Sequence, residues 1–157
     1  MQLQFEYTEK IVAAEKYFDI SRAEIVRVLS DTRECELTCD FPLAGITESG
    51  PDTVLLRLNI SCTHRTLVES WTISLKMHKI RIDGIDFQAV YYDRDKKRHR
   101  GWHRNRWNSA DEEANKHEPL NGFDDINSIE EFVIRSLKVM KVTLNSQDHG
   151  STRLWDD

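Results

Sequence analysis

Residues 93–107 are the stretch of this chain whose residue types could do chemistry. Seven Lys or Arg against two Asp give this segment a net charge of +5, whereas the whole chain carries −5. Guanidinium groups bind phosphates in bidentate fashion, and indole rings stack on unpaired bases. The segment therefore predicts directed recognition of a polyanion, with RNA favoured. The predicted contacts are Lys96, Lys97, Arg98, Arg100, Trp102, Arg104, Arg106 and Trp107.

Two histidines in the same segment add the possibility of catalysis. His99 and His103 are candidates for an acid/base pair that cleaves RNA at the 2′-hydroxyl, because a neutral imidazole can take up that proton near pH 7. In a strand, residues four apart lie about 13 Å from each other, too far for one phosphate. A bulge at Gly101 would shorten this distance. Alternatively, His103 pairs with a histidine of another element, namely His64, His78 or His117. Whether the chain is an enzyme stays open; if it is, a metal-independent ribonuclease is predicted.

Two other interpretations compete with an RNA-binding segment. A basic hairpin can simply protect an edge strand against aggregation. The spacing of His99 and His103 would suit two metal ligands on a helix, but Gly101 and the flanking strand patterns argue against a helix. Asp83 and Asp86 are predicted to serve a turn rather than to bind Mg²⁺. No metal and no cofactor are predicted.

The elements that must position this segment follow from the hydrophobic periodicity. Helical spacing at residues 9–18, and a capping box from Ser21 to Glu24, predict two N-terminal helices. Alternation at residues 35–39, 54–60 and 67–75 predicts strands, and Asp83-Gly84 predicts a hairpin turn. Residues 108–127 are predicted to be a long loop. A second capping box at Ser128 opens a C-terminal helix.

Together these elements predict the α+β class. N-terminal helices precede an antiparallel meander sheet of five or six strands, on which the C-terminal helix packs. Residues 1–144 form the predicted single domain, and residues 145–157 a flexible tail.

The composition limits the setting of the protein. Hydrophobic residues make up 39% and charged residues 31% of the 157 residues, as in a globular domain. No apolar run approaches the roughly 18 residues that span a bilayer, and the N-terminus does not resemble a secretory signal. The odd number of cysteines, Cys35, Cys39 and Cys62, favours buried thiols over a disulfide framework. A cytoplasmic protein without a membrane partner is predicted.

From Arg98 to Trp107, followed by a polar loop and a closing helix, the chain resembles the TumE-like group of small bacterial toxins. The resemblance covers residues 54–144 by the order of elements. It implies a toxin–antitoxin or mobile-element setting in a bacterial cytosol, and an antitoxin that covers the basic strand. Carried over by residue, it implies His99 and His103 as the active histidines, with Arg104 and Arg106 as flanking cations.

Two functions of different class follow. The first is an RNA-directed protein of a toxin–antitoxin or defence system, which binds phosphates through the basic segment and has His103 as its acid/base candidate. The alternative is a non-enzymatic interaction module of a phage or defence ribonucleoprotein complex, CRISPR-associated for example, that docks through the same hairpin.

Overall fold

The structure is a computed structural model that describes residues 7–29, 32–48, 51–64, 69–92, 95–108, 113–126 and 128–145. Within these residues, no helix has the length and apolar character that crossing a membrane requires. The helices are α1 (Thr8–Ala13) and α2 (Ile129–Val139), and a 3-10 turn spans Ile20–Arg22. The strands are β1 (Lys16–Asp19), β2 (Glu24–Leu29), β3 (Thr32–Pro42), β4 (Thr53–His64), β5 (Glu69–Met77), β6 (Ile80–Tyr92), β7 (Arg98–Asn108), β8 (Glu113–Pro119) and β9 (Val142–Asn145).

The main sheet is an antiparallel meander in which strands β2 to β8 lie in sequence order. The predicted α+β class and the antiparallel meander are confirmed. The described chain contributes seven strands to this sheet, more than the five or six predicted. A separate parallel pair joins β1 to β9, with Lys16 opposite Val142.

One face of the sheet carries the core. The alternating residues of β3, β4 and β5 are buried there, as their period of two predicts. Helix α2 packs on this face, since the Phe132 ring lies 5.6 Å from that of Trp71. The Ser128 hydroxyl accepts a hydrogen bond of 3.2 Å from the Glu131 amide. The predicted C-terminal helix and its serine cap are therefore confirmed. Buried residues of the three strands include Cys35, Leu37, Leu56, Leu58, Ile60, Cys62, Trp71, Ile73 and Leu75.

The cysteines agree with a structural role. Cys35 and Cys62 are buried and Cys39 is half-buried, and all three are free thiols. Burial raises the pKa of Cys35 to about 12 and that of Cys39 to about 11. These two thiols therefore stay protonated, and unreactive, at neutral pH.

The N-terminal region differs from the prediction. Helix α1 ends at Ala13 rather than at residue 18, and the last part of the predicted helix lies in β1, which begins at Lys16. The second predicted helix is wrong, because Glu24–Leu29 is strand β2, paired with β3. The sequence IVRVL is rich in β-branched residues, and pairing with a neighbouring strand outweighs the local capping signal.

Two further predictions along the sheet are wrong. Asp83 and Gly84 lie inside β6, and the turn is formed instead by His78 and Lys79, with φ of 50° and 68°. Two consecutive positive φ values match the tight hairpin turn whose twist suits antiparallel strands. The predicted loop at residues 108–127 contains β8, an edge strand whose polar composition conceals it. Of the predicted tail, Asn145 ends β9 and residues 146–157 lie outside the described residues.

Candidate functional site

Strand β7 carries most of the predicted site residues and presents them on two faces of the sheet. Trp102 contacts Phe132 of α2, so it lies on the core face. Arg104 follows two residues later on the same face. His103 stands between them, on the opposite face, across from Asp86 of β6. The predicted strand therefore divides its side chains between two environments.

Trp102 belongs to an aromatic cluster rather than to the surface. Its side chain is 8% exposed. Its ring centroid lies 4.8 Å from that of Phe87, 5.3 Å from Phe132, 5.6 Å from Phe123 and 6.0 Å from Trp71. An indole surrounded in this way cannot stack on a base unless it leaves the core. The predicted role of Trp102 as a stacking platform therefore does not fit its position.

On the opposite face, Asp86 is the centre of a polar network formed by Arg81, Asp86, His103 and Asn105. Arg81 donates two hydrogen bonds to the carboxylate, both at 2.8 Å, and the Asn105 amide donates a third at 2.5 Å. The Nε2 atom of His103 lies 3.6 Å from Asp86 Oδ2. A carboxylate beside an imidazole is a common arrangement in acid/base sites. This imidazole, however, is only 2% exposed, so a polynucleotide in solution has no direct access to it.

Gly84 makes room for this network. A Cβ atom at Gly84 would lie 2.0 Å from Nη2 of Arg81, because the guanidinium group lies over the glycine. The same guanidinium also donates to the Ile73 carbonyl at 3.2 Å, so it is held on two sides. The Asp83-Gly84 dipeptide predicts a turn that Asp83 and Asp86 would serve. A glycine inside a strand is also a signal of close approach by another group.

Replacing Gly84 by alanine is expected to lower the free energy of unfolding by about 2–3 kcal/mol, because displaced Arg81 leaves the buried Asp86 carboxylate without its strongest partner. Chemical denaturation measures this loss. In an Arg81→Ala background the same Gly84→Ala change should cost less than about 1 kcal/mol, since no guanidinium remains to be displaced. An equal cost in both backgrounds would contradict this explanation.

The proposed second histidine lies beside an irregularity of the sheet. Gln88 pairs with Gly101 and Tyr91 pairs with His99, so β6 has one residue more than β7 at this point. Gly101 has a φ of +91°. A bulge therefore accompanies Gly101, although the extra residue belongs to β6. The side chains of His99 and Arg100 lie outside the described residues, so the predicted pair of histidines stays a prediction.

On the core face of β7, a buried charge cluster consists of Lys16, Asp83 and Arg104. Arg104 donates to both carboxylate oxygens of Asp83, at 3.0 and 2.8 Å, and Asp83 is 0% exposed. Burial lowers the pKa of Lys16 to about 8, while the Asp83 charge opposes this shift. The Lys16 ammonium closes the end of α1 by donating at 2.7–2.9 Å to the carbonyls of Ile11, Val12 and Ala14.

A pocket of about 420 Å³ opens next to this cluster. We call it the cationic pocket, because Arg104, Arg106 and Lys141 contribute to its wall. Arg106 forms an ion pair with Glu118 of β8, yet its buried Nε atom has no hydrogen-bond partner among the described residues. The complete lining consists of Glu9, Val12, Ala13, Arg104, Arg106, Trp107, Val139 and Lys141.

The remaining predicted contacts lie at the hairpin between β6 and β7. Lys96, Lys97 and Arg98 are exposed there, and we call them the basic tip. Lys96 has a φ of 60°, in the left-handed region. Arg98 and Arg104 are six residues apart on β7, or roughly 20 Å along the strand. The segment that the sequence presents as one patch is therefore divided between a tip and a pocket.

The arrangement offers two places where an anion could bind, an exposed tip and a partly enclosed pocket. Within the described ranges, no three His, Cys, Asp or Glu side chains come together as metal ligands. The His103 network joins β6 to β7 through the contacts that His103 and Asn105 make with Asp86. In comparisons with known proteins, the chain matches no family model, no curated protein and no solved structure.

Proposed function

We propose that this chain binds the phosphates of a polyanion, RNA in the first place, through the basic tip. The observation that carries the proposal is the exposure of Lys96, Lys97 and Arg98 at the end of a long hairpin. Exposed cations at a turn can contact a phosphate backbone from the solvent side. Arg104 and Arg106, further along the strand, are instead engaged by Asp83 and Glu118.

The position of the tryptophans defines the kind of binding. With Trp102 in the core and Trp107 buried, the proposed contact consists of charge rather than of base stacking. Phosphate contacts position a nucleic acid but do not read its sequence. Binding should therefore be weakly selective among RNA sequences and should decrease steeply with salt.

The resemblance to TumE-like toxins extends this proposal to a biological setting. An antitoxin would then cover the basic tip, and cleavage by His103 with His99 would follow binding. Both points stay predictions. Cleavage would also require the sheet to open at His103, because its side chain is 2% exposed.

The test is binding of a labelled single-stranded RNA over a salt series, followed by a denaturing gel. We expect the Lys96→Gln/Lys97→Gln/Arg98→Gln variant to bind RNA at least tenfold more weakly at low salt. Three lost phosphate contacts should also reduce the slope of log K against log salt by about 2, because each contact contributes roughly 0.7 on a single strand. Stability should be unchanged, since these side chains are exposed.

A matched control removes three exposed cations elsewhere, in the variant Lys10→Gln/Arg22→Gln/Lys138→Gln. It changes the net charge equally and should retain most of the affinity. Equal losses of RNA affinity in both variants would show a general effect of charge. They would refute the proposal that the basic tip is the binding site. If the wild-type chain binds no RNA at low salt, the proposal fails, and docking of the same hairpin on an acidic protein becomes the better explanation. Shortened RNA on the gel would add an enzymatic activity.

A further inference from the structure

We propose that the cationic pocket is a binding site for a small organic anion, a compact apolar body that carries a phosphate or carboxylate group. The pocket is formed by α1, the end of β7 and the turn between α2 and β9, which are brought together only by the fold. This site goes beyond the proposed RNA contact and does not depend on it.

The shape and lining of the pocket fit such a ligand. Its volume of about 420 Å³ lies in the range of small-molecule sites. Val12, Ala13 and Val139 form an apolar wall, and Trp107 adds an aromatic surface. Ligand sites typically combine such walls with a few polar groups that fix the orientation of the ligand.

The charges around the pocket favour an anion. Arg104, Arg106 and Lys141 face Glu9, which is the one acidic residue of this lining among the described residues. Within the buried charge cluster, Asp83 is the one carboxylate opposite two cations, the buried Lys16 and Arg104, whose side chain is 15% exposed. An excess of one positive charge therefore remains while Lys16 is protonated. The charges of Arg104 and Lys141 each lower the pKa of Lys16, so both act on the same buried region.

Arg106 also carries one unsatisfied donor. The Nε atom of Arg106 is buried and has no hydrogen-bond partner in the described part of the chain. An unsatisfied guanidinium N–H costs free energy until an acceptor reaches it. A phosphate or carboxylate in the pocket would offset the excess charge, and it could accept from this N–H once the side chain of Arg106 turned toward it.

The experiment titrates the full chain with phenyl phosphate and with benzoate, and follows the indole N–H signals by NMR. Phenol serves as the neutral probe of similar shape. We expect saturable binding of at least one anion, at least tenfold tighter than that of phenol. Inorganic phosphate, which lacks the apolar body, should bind more weakly than phenyl phosphate.

Two substitutions at exposed positions of the lining should act with opposite signs. Glu9→Gln removes the acidic group and should tighten binding of the anion about 3- to 10-fold, whereas Lys141→Asn should weaken it by a similar factor. Asparagine is chosen because it tolerates the left-handed backbone at position 141, where φ is 57°. Opposite effects of these two variants would not arise from a general loss of structure.

The outcomes separate this site from the tip. The variant Lys96→Gln/Lys97→Gln/Arg98→Gln should bind the small anion with the affinity of the wild type, even though its affinity for RNA is reduced. The inference is overturned if neither anion binds saturably, if phenol binds as tightly as the anions, or if Glu9→Gln and Lys141→Asn change the affinity in the same direction. None of these results depends on whether the chain binds RNA.

Discussion

Replacing Asp83 by asparagine is expected to lower the free energy of unfolding by about 3–5 kcal/mol, because a buried charge cluster then loses its single carboxylate. Asp83 accepts two hydrogen bonds from Arg104 and a third, at 2.9 Å, from the Gly84 amide. An amide side chain keeps the size of this group but not its charge. The charges of the buried Lys16 and of the mostly covered Arg104 would then lose the carboxylate that opposes them. Urea denaturation at neutral pH measures the loss.

The same variant should show a characteristic dependence on pH. Without Asp83, the pKa of Lys16 falls further below its present value of about 8. The folded state then binds fewer protons than the unfolded state over a wider range, so stability rises with pH across that range. The deficit of Asp83→Asn relative to the wild type should therefore shrink as the pH rises toward about 8, where Lys16 can be neutral in both proteins.

Asp125→Asn is the matched control for Asp83→Asn. Asp125 also forms an ion pair with an arginine, Arg135, at 2.6 Å, but its side chain is 73% exposed. Solvent screens such a pair, so its loss should change the stability far less than the loss of Asp83 does. If Asp83→Asn were no more harmful than Asp125→Asn, the buried charge cluster would contribute little to stability. Contacts other than the ion pair with Asp83 would then hold Arg104 in place.

The sequence predicted those elements whose local pattern agrees with their environment. Strands β3 to β5 alternate because only one of their faces meets the core, and α2 begins at a serine that caps it. In these segments the local preference and the tertiary contacts favour the same structure.

The elements that sequence reasoning missed owe their conformation to distant partners. Strand β2 follows a capping signal but pairs with β3, and β8 is a polar edge strand that β7 holds in place. The turn predicted at Asp83 and Gly84 rests on a dipeptide preference, whereas the glycine is needed to accommodate the guanidinium of Arg81. Side chains that act over the surface of a sheet leave no periodic signal in the sequence.

The basic segment of residues 93–107 is divided between an exposed tip and a partly enclosed pocket. In an extended strand Trp102, Arg104 and Arg106 lie on one face, but this spacing does not tell whether that face is the buried one. The carboxylates that engage the arginines come from other strands, Asp83 lying 21 residues and Glu118 12 residues away. Composition alone therefore overestimates how many of these cations are available to a nucleic acid.

Trp102→Ala provides the strongest test of that division. We expect it to lower the free energy of unfolding by about 3–5 kcal/mol, because it opens a cavity among rings whose centroids lie 4.8–6.0 Å away. Denaturant unfolding measures this effect, and the near-ultraviolet circular dichroism of the aromatic cluster should weaken in parallel. A surface tryptophan that stacked on bases would give a loss below about 1 kcal/mol.

The RNA affinity of a folded variant distinguishes the two roles of Trp102 directly. Trp102→Leu keeps an apolar side chain in the cluster and should leave enough stability for binding measurements. If Trp102 is a core residue, this variant should bind RNA within about twofold of the wild type, whereas loss of a stacked base would cost about 1–3 kcal/mol. The tip variant Lys96→Gln/Lys97→Gln/Arg98→Gln should show the reverse, with normal stability and weak binding. If the Trp102→Leu protein is stable but no longer binds RNA, Trp102 belongs to the RNA-binding surface. The basic tip would then be only one part of that surface.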